Sequence, residues 1–341
     1  MSERLENQAG HPEHLLEVRD LKQYFPIHTG WFQNTPLKAV DGVSFTIDAG
    51  ETLGLVGESG CGKSTVARSI IGLLDKTYTE IAGGKAMFHG MDLLAMNAKE
   101  MNRVRGEKIS MIFQNPLTSL NPVYTVENQI AEALRIHGMH DKKSIHARCL
   151  ELMQLVGIPA PEERLKDFPH QLSGGMQQRV LIAIALACNP EILIADEPTT
   201  ALDVTIQAQI LELMRSIRDQ LSMSMILITH NMGVVAEMCD RVMVMYGGVV
   251  MEEGTVSQIF LHPQHPYTQG LLAAIPSIEV NKETLFTIEG TVPRFHYPVT
   301  QCRFASRCSR RCDHCTAAEP PIVEVEPGHW VRCIFAGKEN A

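Results

Sequence analysis

Aromatic residues make up only 6% of this 341-residue sequence, which argues against a chain built on stacked nucleobases. Positive charge is also scarce: 30 Lys and Arg stand against 39 Asp and Glu, a formal net charge of −9. A chain of that sign is a poor non-specific partner for nucleic acid, leaving only a local basic patch as a route to it. No apolar run approaches the roughly 20 residues that cross a bilayer. The longest, Val180 to Cys188, is about half that. The first residues carry acids and histidines where a secretory signal has a basic segment and then an apolar one. The expected location is therefore the cytosol. In that reducing compartment, nine cysteines suit free thiols or metal ligands better than disulfides.

What is present is a well-filled core. Hydrophobic residues at 45% against 20% charged exclude global disorder. The length suits about two domains with room for a third small one. Short apolar runs alternate with helical-period segments to about residue 261. Phe45 to Ile47, Thr52 to Val56, Ile109 to Phe113, Glu191 to Ala195, Met225 to Thr229 and Arg241 to Met245 read as strands. Several are apolar throughout, as strands covered on both faces are. Helical patterns lie between them, as at Thr65 to Leu74 and Val204 to Leu221. This is an α/β signature with a largely parallel sheet. Thr125 to about Cys188 breaks the rhythm and predicts an all-helical insert. From His262 the composition shifts to prolines and cysteines, which predicts an irregular, stapled C-terminal module.

Gly57-Glu58-Ser59-Gly60-Cys61-Gly62-Lys63-Ser64 fits G-x-x-x-x-G-K-[ST], after a predicted strand and before a predicted helix. Glycines let successive N–H groups turn inward toward phosphate oxygens. The helix that follows presents its positive end to the same anion. Lys63 supplies a full charge, and Ser64 a hydroxyl for Mg²⁺. Cys61 has two readings: a tolerated small residue, or a thiol made reactive by Lys63 and the helix end. On the second, alkylation inactivates the protein and MgATP protects it.

Ile192-Leu193-Ile194-Ala195-Asp196-Glu197 is an apolar strand ending in two carboxylates, at the strand end where ligands bind in α/β sheets. Asp196 suits a Mg²⁺ shell, and Glu197 suits a general base that polarises water.

Further motifs follow in order: Gln114 after a strand, Leu172-Ser173-Gly174-Gly175-Met176, Ala201-Leu202-Asp203, and His230 after another strand. Together with the phosphate loop and the acids, this set resembles the ATPase subunit of ABC transporters over about residues 15 to 260. The resemblance implies a P-loop NTPase cassette with a mostly parallel sheet core and an antiparallel β subdomain. It places the cassette at 1–261, with a helical signature subdomain at about 115–189. It also implies a head-to-tail cassette dimer with two ATP molecules between the subunits. Gly57, Glu58, Ser59, Gly60, Cys61, Gly62, Lys63, Ser64 and Thr65 then cradle the triphosphate. Ser64, Gln114 and Asp196 serve Mg²⁺, and Gln114 also senses the membrane partner. Ser173, Gly174 and Gly175 reach the γ-phosphate held by the opposite subunit. Glu197 is the catalytic base and His230 the γ-phosphate switch. An aromatic ahead of the cassette stacks on adenine, with Phe25 best spaced and Tyr24 next.

Met176 stands where the commonest signature has Gln, and Gln177-Gln178-Arg179 follow. That variant resembles the oligopeptide and dipeptide importer branch. So do Gln114 to Pro122, Asp196 to Gln209, and His265-Pro266-Tyr267-Thr268, extending the likeness to nearly the whole chain. Some relatives in that branch take nickel or glutathione. The implied partners are a second, paralogous ATPase, two transmembrane permease subunits and an extracytoplasmic solute-binding protein. The implied location is peripheral, on the cytoplasmic face of the inner membrane. A soluble ABC ATPase acting on nucleic acid is the alternative class, and such chains usually carry two cassettes or long inserts.

The C-terminal extension, 262–341, holds Cys302, Cys308, Cys315 and Cys333 at x5, x6 and x17 spacing, with Cys312 extra. Four thiols in a loop-rich tail suggest a metal centre, and Arg303, Arg307, Arg310 and Arg311 suggest offsets to thiolate charge. The same arginines permit a small nucleic-acid patch. The spacing lacks the C-x₂-C pairs of zinc ribbons and the ferredoxin run, so it does not choose a metal. The importer resemblance does, implying a structural [4Fe–4S] cluster. Gly30 to Pro36 reads as a surface hairpin.

Overall fold

A computed structural model of the chain describes residues 14–28, 34–200, 202–275, 288–293, 295 and 299–337. Most of the Gly30 to Pro36 segment lies outside them, as does Ala201. In chain order the strands are β1 (Leu16–His28), β2 (Asn34–Ile47), β3 (Thr52–Val56), β4 (Glu80–Phe88), β5 (Met91–Asp92) and β6 (Ile109–Ile112). They continue with β7 (Ile192–Asp196), β8 (Ser224–Thr229), β9 (Arg241–Tyr246), β10 (Val249–Thr255), β11 (Val323–Glu326) and β12 (His329–Val331).

The chain divides into two compact units. The first comprises residues 1–48, 52–95 and 229–341. Within it β2, β1, β4 and β5 form an antiparallel sheet in that order. Leu16, Val18, Phe45, Ile47, Ala86 and Phe88 alternate with more polar neighbours and are buried, so one face of this sheet packs inward. β2 begins at Asn34, well before the short apolar run at Phe45, because its first half is half-polar and gains its order from pairing with β1. A further group of strands in the same unit runs β11, β12, β10, β9, β3. Here β3 lies parallel to β9, and the other pairs are antiparallel. Thr52 to Val56 are buried at every position, which explains the unbroken apolar run.

The second unit comprises 49–51 and 96–228. It holds parallel β6, β7 and β8, and β7 is buried at every position. Between β6 and β7 the longer helices are Val126–Ile136, Lys142–Leu155 and Gly174–Ala185, with no strand among the described residues. Each starts on a polar side chain that accepts a backbone N–H: Thr125 from Asn128, Asp141 from Ser144 and Ser173 from Met176. These are the α/β class and helical insert that the patterning predicts, with the antiparallel subdomain that the resemblance implies.

The C-terminal extension carries more regular structure than its composition suggests. The helix Pro266–Ala273, a tight turn at Ala305–Arg307, the helix Asp313–Ala317 and the β11–β12 hairpin all belong to it. β12 adds to the sheet edge through only Glu252↔Val331 and Glu253↔Trp330, too short a pairing to leave a strand signature. Its core joins Cys302, Phe304, Ala305 and Cys315 to Val56, Val244, Tyr246 and Tyr267.

Candidate functional site

The phosphate loop lies in the first unit, between β3 and the helix Lys63–Ile70. Two of its glycines are required by space and backbone. Gly57 has φ +146°, and a Cβ there would stand 2.2 Å from the Met245 carbonyl oxygen. Gly62 has φ +107°, and a Cβ there would meet the Ala39 carbonyl oxygen at 2.4 Å. Gly62 is the N-cap of the helix, and no side chain caps it, which leaves the dipole end open to an anion. Lys63 is buried, with Nζ donating to the carbonyl oxygens of Gly57 at 2.6 Å and Glu58 at 3.0 Å. The loop and ammonium are a cradle of the right sign for a polyphosphate. Ser64 and Thr65 are half-buried in the first helical turn.

Cys61 is fully buried within the loop. Burial pushes its thiol up, and Lys63 only partly opposes this. The reactive-thiol reading therefore fails: a neutral, inaccessible sulfur is a poor nucleophile.

The carboxylates lie in the second unit. Asp196 ends β7 and is 1% exposed. Glu197 follows at φ 47°, the left-handed region that a non-glycine residue enters at a cost. Its backbone N–H donates to the Ile228 carbonyl at 2.8 Å, which fixes the turn to β8. Its Oε2 accepts from Gln114 Nε2 at 2.7 Å and from the Thr200 hydroxyl at 2.8 Å. Gln114 and Glu197, 83 residues apart, are thus brought together. Thr200 was not singled out by sequence reasoning, although its place three residues after Glu197 is the signal for it.

In the same unit Ser173 caps the helix Gly174–Ala185, and Ser173 and Gly174 are exposed. A glycine-led helix with an exposed N-terminus suits an anion brought from outside the chain. His230, exposed in the first unit, follows β8. Asn231 then caps the helix Met232–Met238. Of the two candidate adenine platforms, Tyr24 is committed. Its hydroxyl donates to Asp41 at 2.6 Å, Lys38 Nζ lies 5.4 Å from its ring centroid, and burial then Asp41 push the phenol up. Phe25 is half-buried.

The metal expectation for the C-terminal cysteines is overturned. Among the described residues, no group of three or more His, Cys, Asp or Glu side chains is placed to hold a metal ion. Cys302 and Cys315 are buried in the apolar core instead. Burial pushes the Cys302 thiol up to about 11, and burial likewise raises Cys308, Cys315 and Cys333. Cys312 Sγ sits 3.8 Å from Cys315 Sγ. The arginines also turn elsewhere. Arg303 donates to Asp41 at 2.5 Å, Glu319 at 3.0 Å and the Gly247 carbonyl at 2.5 Å. Arg307 pairs with Glu58 of the phosphate loop, and Arg310 stacks on Phe335 with 5.0 Å from Cζ to the ring centroid.

The chain is similar to known proteins in sequence and fold. The ABC transporter family profile matches residues 40–200, and the oligopeptide/dipeptide transporter C-terminal region matches residues 251–315. Over 327 residues the chain is 48% identical to the oligopeptide transport ATP-binding protein AppD of Bacillus subtilis (strain 168), covering 96% of this chain and 98% of the relative. Over 321 residues it is 49% identical to the dipeptide transport ATP-binding protein DppD of the same organism, covering 94% of each. Among solved structures it resembles the dimeric, post-hydrolysis state of an ATP-binding cassette bound to ADP and Pi, at TM-score 0.62 and 26% identity. That match covers 71% of this chain and 98% of the other. The names of the two Bacillus relatives speak of peptide transport and ATP binding, and neither speaks of an iron–sulfur cluster.

Proposed function

Because this chain belongs to the ATP-binding subunits of ABC transporters, in the oligopeptide and dipeptide branch, we propose that it hydrolyses ATP to power peptide uptake through a membrane permease. The observation that carries the reading is the buried Lys63 ammonium, folded onto the Gly57 and Glu58 carbonyls at the uncapped start of its helix. A fixed cation, a dipole end and a glycine-lined loop together offer a polyphosphate more than a single anion site does.

The proposed residue roles are those the family resemblance implies. Gly57 to Thr65 hold the triphosphate, and Phe25 stacks on the base. Ser64, Gln114 and Asp196 would hold Mg²⁺, which neutralises charge on the β- and γ-phosphates. Glu197 takes a proton from water as the water oxygen bonds to the γ-phosphorus. The bond from that phosphorus to the β-γ bridging oxygen breaks, giving ADP and phosphate. Gln114 and Thr200 orient the carboxylate that does this. His230 holds the γ-phosphate, and Ser173, Gly174 and Gly175 hold the phosphate bound to a second cassette.

No helix among the described residues is long and apolar enough to cross a membrane. The proposed assembly, as the family resemblance implies, takes two permease subunits, a paralogous ATPase and an extracytoplasmic solute-binding protein. This chain sits peripherally on the cytoplasmic face of the inner membrane. The cassette pairing is tested with Glu197→Gln and MgATP. A nucleotide-trapped two-cassette assembly on sizing supports it, and monomers at every nucleotide concentration refute it. The solute is tested by competing labelled peptides against nickel chelate and glutathione in the reconstituted transporter.

A further inference from the structure

Glu58 occupies a position of the phosphate loop that the motif leaves open to any residue. In this chain it is held at each of its polar groups. Its backbone N–H donates to the Tyr267 hydroxyl at 2.9 Å. Its carbonyl oxygen accepts from Lys63 Nζ at 3.0 Å. Its carboxylate accepts two parallel bonds from Arg307, Nη1 to Oε2 at 2.5 Å and Nη2 to Oε1 at 2.9 Å. Arg307 lies 249 residues further along and Tyr267 lies 209, both in the C-terminal extension.

Arg307 is itself held rigidly. Its side chain is 5% exposed. The guanidinium also donates to the carbonyls of Glu289 at 2.8 Å, Ile288 at 3.0 Å and Gly290 at 3.2 Å, and to the Tyr246 hydroxyl at 3.4 Å, with one Nη2 hydrogen shared between acceptors. Tyr246, Tyr267 and Phe304 pack edge to face or tilted, with centroids 4.8 to 5.3 Å apart. A planar fork on a buried aromatic base fixes a carboxylate in position and angle, which a lysine point charge does not. The fork, Glu58 and Lys63 therefore form one chain of contacts from the extension to the ammonium.

We propose that Arg307 and Tyr267 are positioning residues of the nucleotide site, holding the Glu58 peptide so that its carbonyl fixes Lys63 over the phosphate loop. The C-terminal extension is then a working part of the phosphate-loop half of the site. The inference rests on the ATP-binding reading above.

The test uses the full chain, with MgATP binding measured by calorimetry and folding by thermal melting. Arg307→Ala should weaken MgATP binding about tenfold, and Arg307→Lys should recover part of that loss. In the assembled transporter the loss should fall on KM rather than kcat. Glu58→Gln should weaken binding similarly. Arg307→Ala combined with Glu58→Gln should be no worse than the poorer single variant, because both cut one link. Wild-type binding by Arg307→Ala, or losses that simply add in the double variant, overturns the proposal. If Arg307→Ala melts early, Tyr267→Phe and Glu58→Gln decide: wild-type affinity in both overturns it, weakened affinity in both upholds it. A wild-type chain that binds no MgATP contradicts the ATPase reading itself and removes this inference with it.

Discussion

Gln114 donates to Glu197 at 2.7 Å, on the same carboxylate oxygen that accepts the Thr200 hydroxyl at 2.8 Å. Two donors on one oxygen fix the orientation of the Glu197 carboxylate, and the left-handed backbone at Glu197 sets its direction. In its proposed role as the base, a carboxylate held this way would act by position as well as by charge. Replacing Glu197 with Gln keeps the size and removes the proton acceptor. The expected result is a loss of about 10²- to 10⁴-fold in kcat with MgATP binding kept. Steady-state phosphate release and equilibrium binding, measured on the same preparation, check this.

Cys61 should be silent to thiol chemistry. It is fully buried, and burial raises its thiol. Peptide-level labelling with an alkylating reagent at neutral pH should leave Cys61 unmodified in the folded chain, with or without MgATP. Labelling that nucleotide suppresses would mean that the sulfur is reachable.

His265 should make the fold acid-sensitive. It is buried and caps the helix Pro266–Ala273 by accepting the Tyr267 N–H at 3.0 Å. Burial pushes it down to about 4, with Glu252 opposing and Arg332 assisting. The unfolded histidine takes a proton below about 6.5, while the folded one stays neutral until about 4. Its contribution is therefore intact above pH 6.5 and lost as the pH falls toward 4. Up to about 3 kcal/mol is at stake. Urea unfolding at pH 7 and 4.5 should show wild type losing more stability than His265→Asn. Equal losses contradict this.

Arg303 ties the extension to β2. Its side chain is 1% exposed, and it shares the Asp41 carboxylate with Tyr24 and Lys38. Burial alone would raise Asp41, but the bonds from Tyr24, Lys38 and Arg303 outweigh it and hold the carboxyl low. Arg303→Met removes one partner of a buried ion pair and should cost about 3 kcal/mol of unfolding free energy. Denaturant titration reads this directly.

The chemistry-bearing residues were legible because their types and spacing are set locally. A glycine loop before Lys63 and an apolar strand before Asp196 and Glu197 are patterns complete within a few residues. The links at long range were not legible. Nothing near Arg307 in the sequence says that its partner is Glu58, and nothing near Arg303 points to Asp41. The arginines beside the cysteines therefore read as counter-charges for a metal cluster, whereas tertiary packing turns Arg303 and Arg307 toward carboxylates and leaves the thiols in a core. Cys61 misled for a related reason. An open-looking motif is packed tightly enough that a Cβ at Gly57 would reach within 2.8 Å of its sulfur.

The most direct measurement is uptake of a labelled di- or oligopeptide, delivered by the proposed solute-binding protein, into proteoliposomes that contain this chain with the proposed permease and partner ATPase. The account predicts accumulation that requires hydrolysable MgATP and disappears with Glu197→Gln. Accumulation that survives Glu197→Gln in this chain, or that proceeds without hydrolysis, would contradict it.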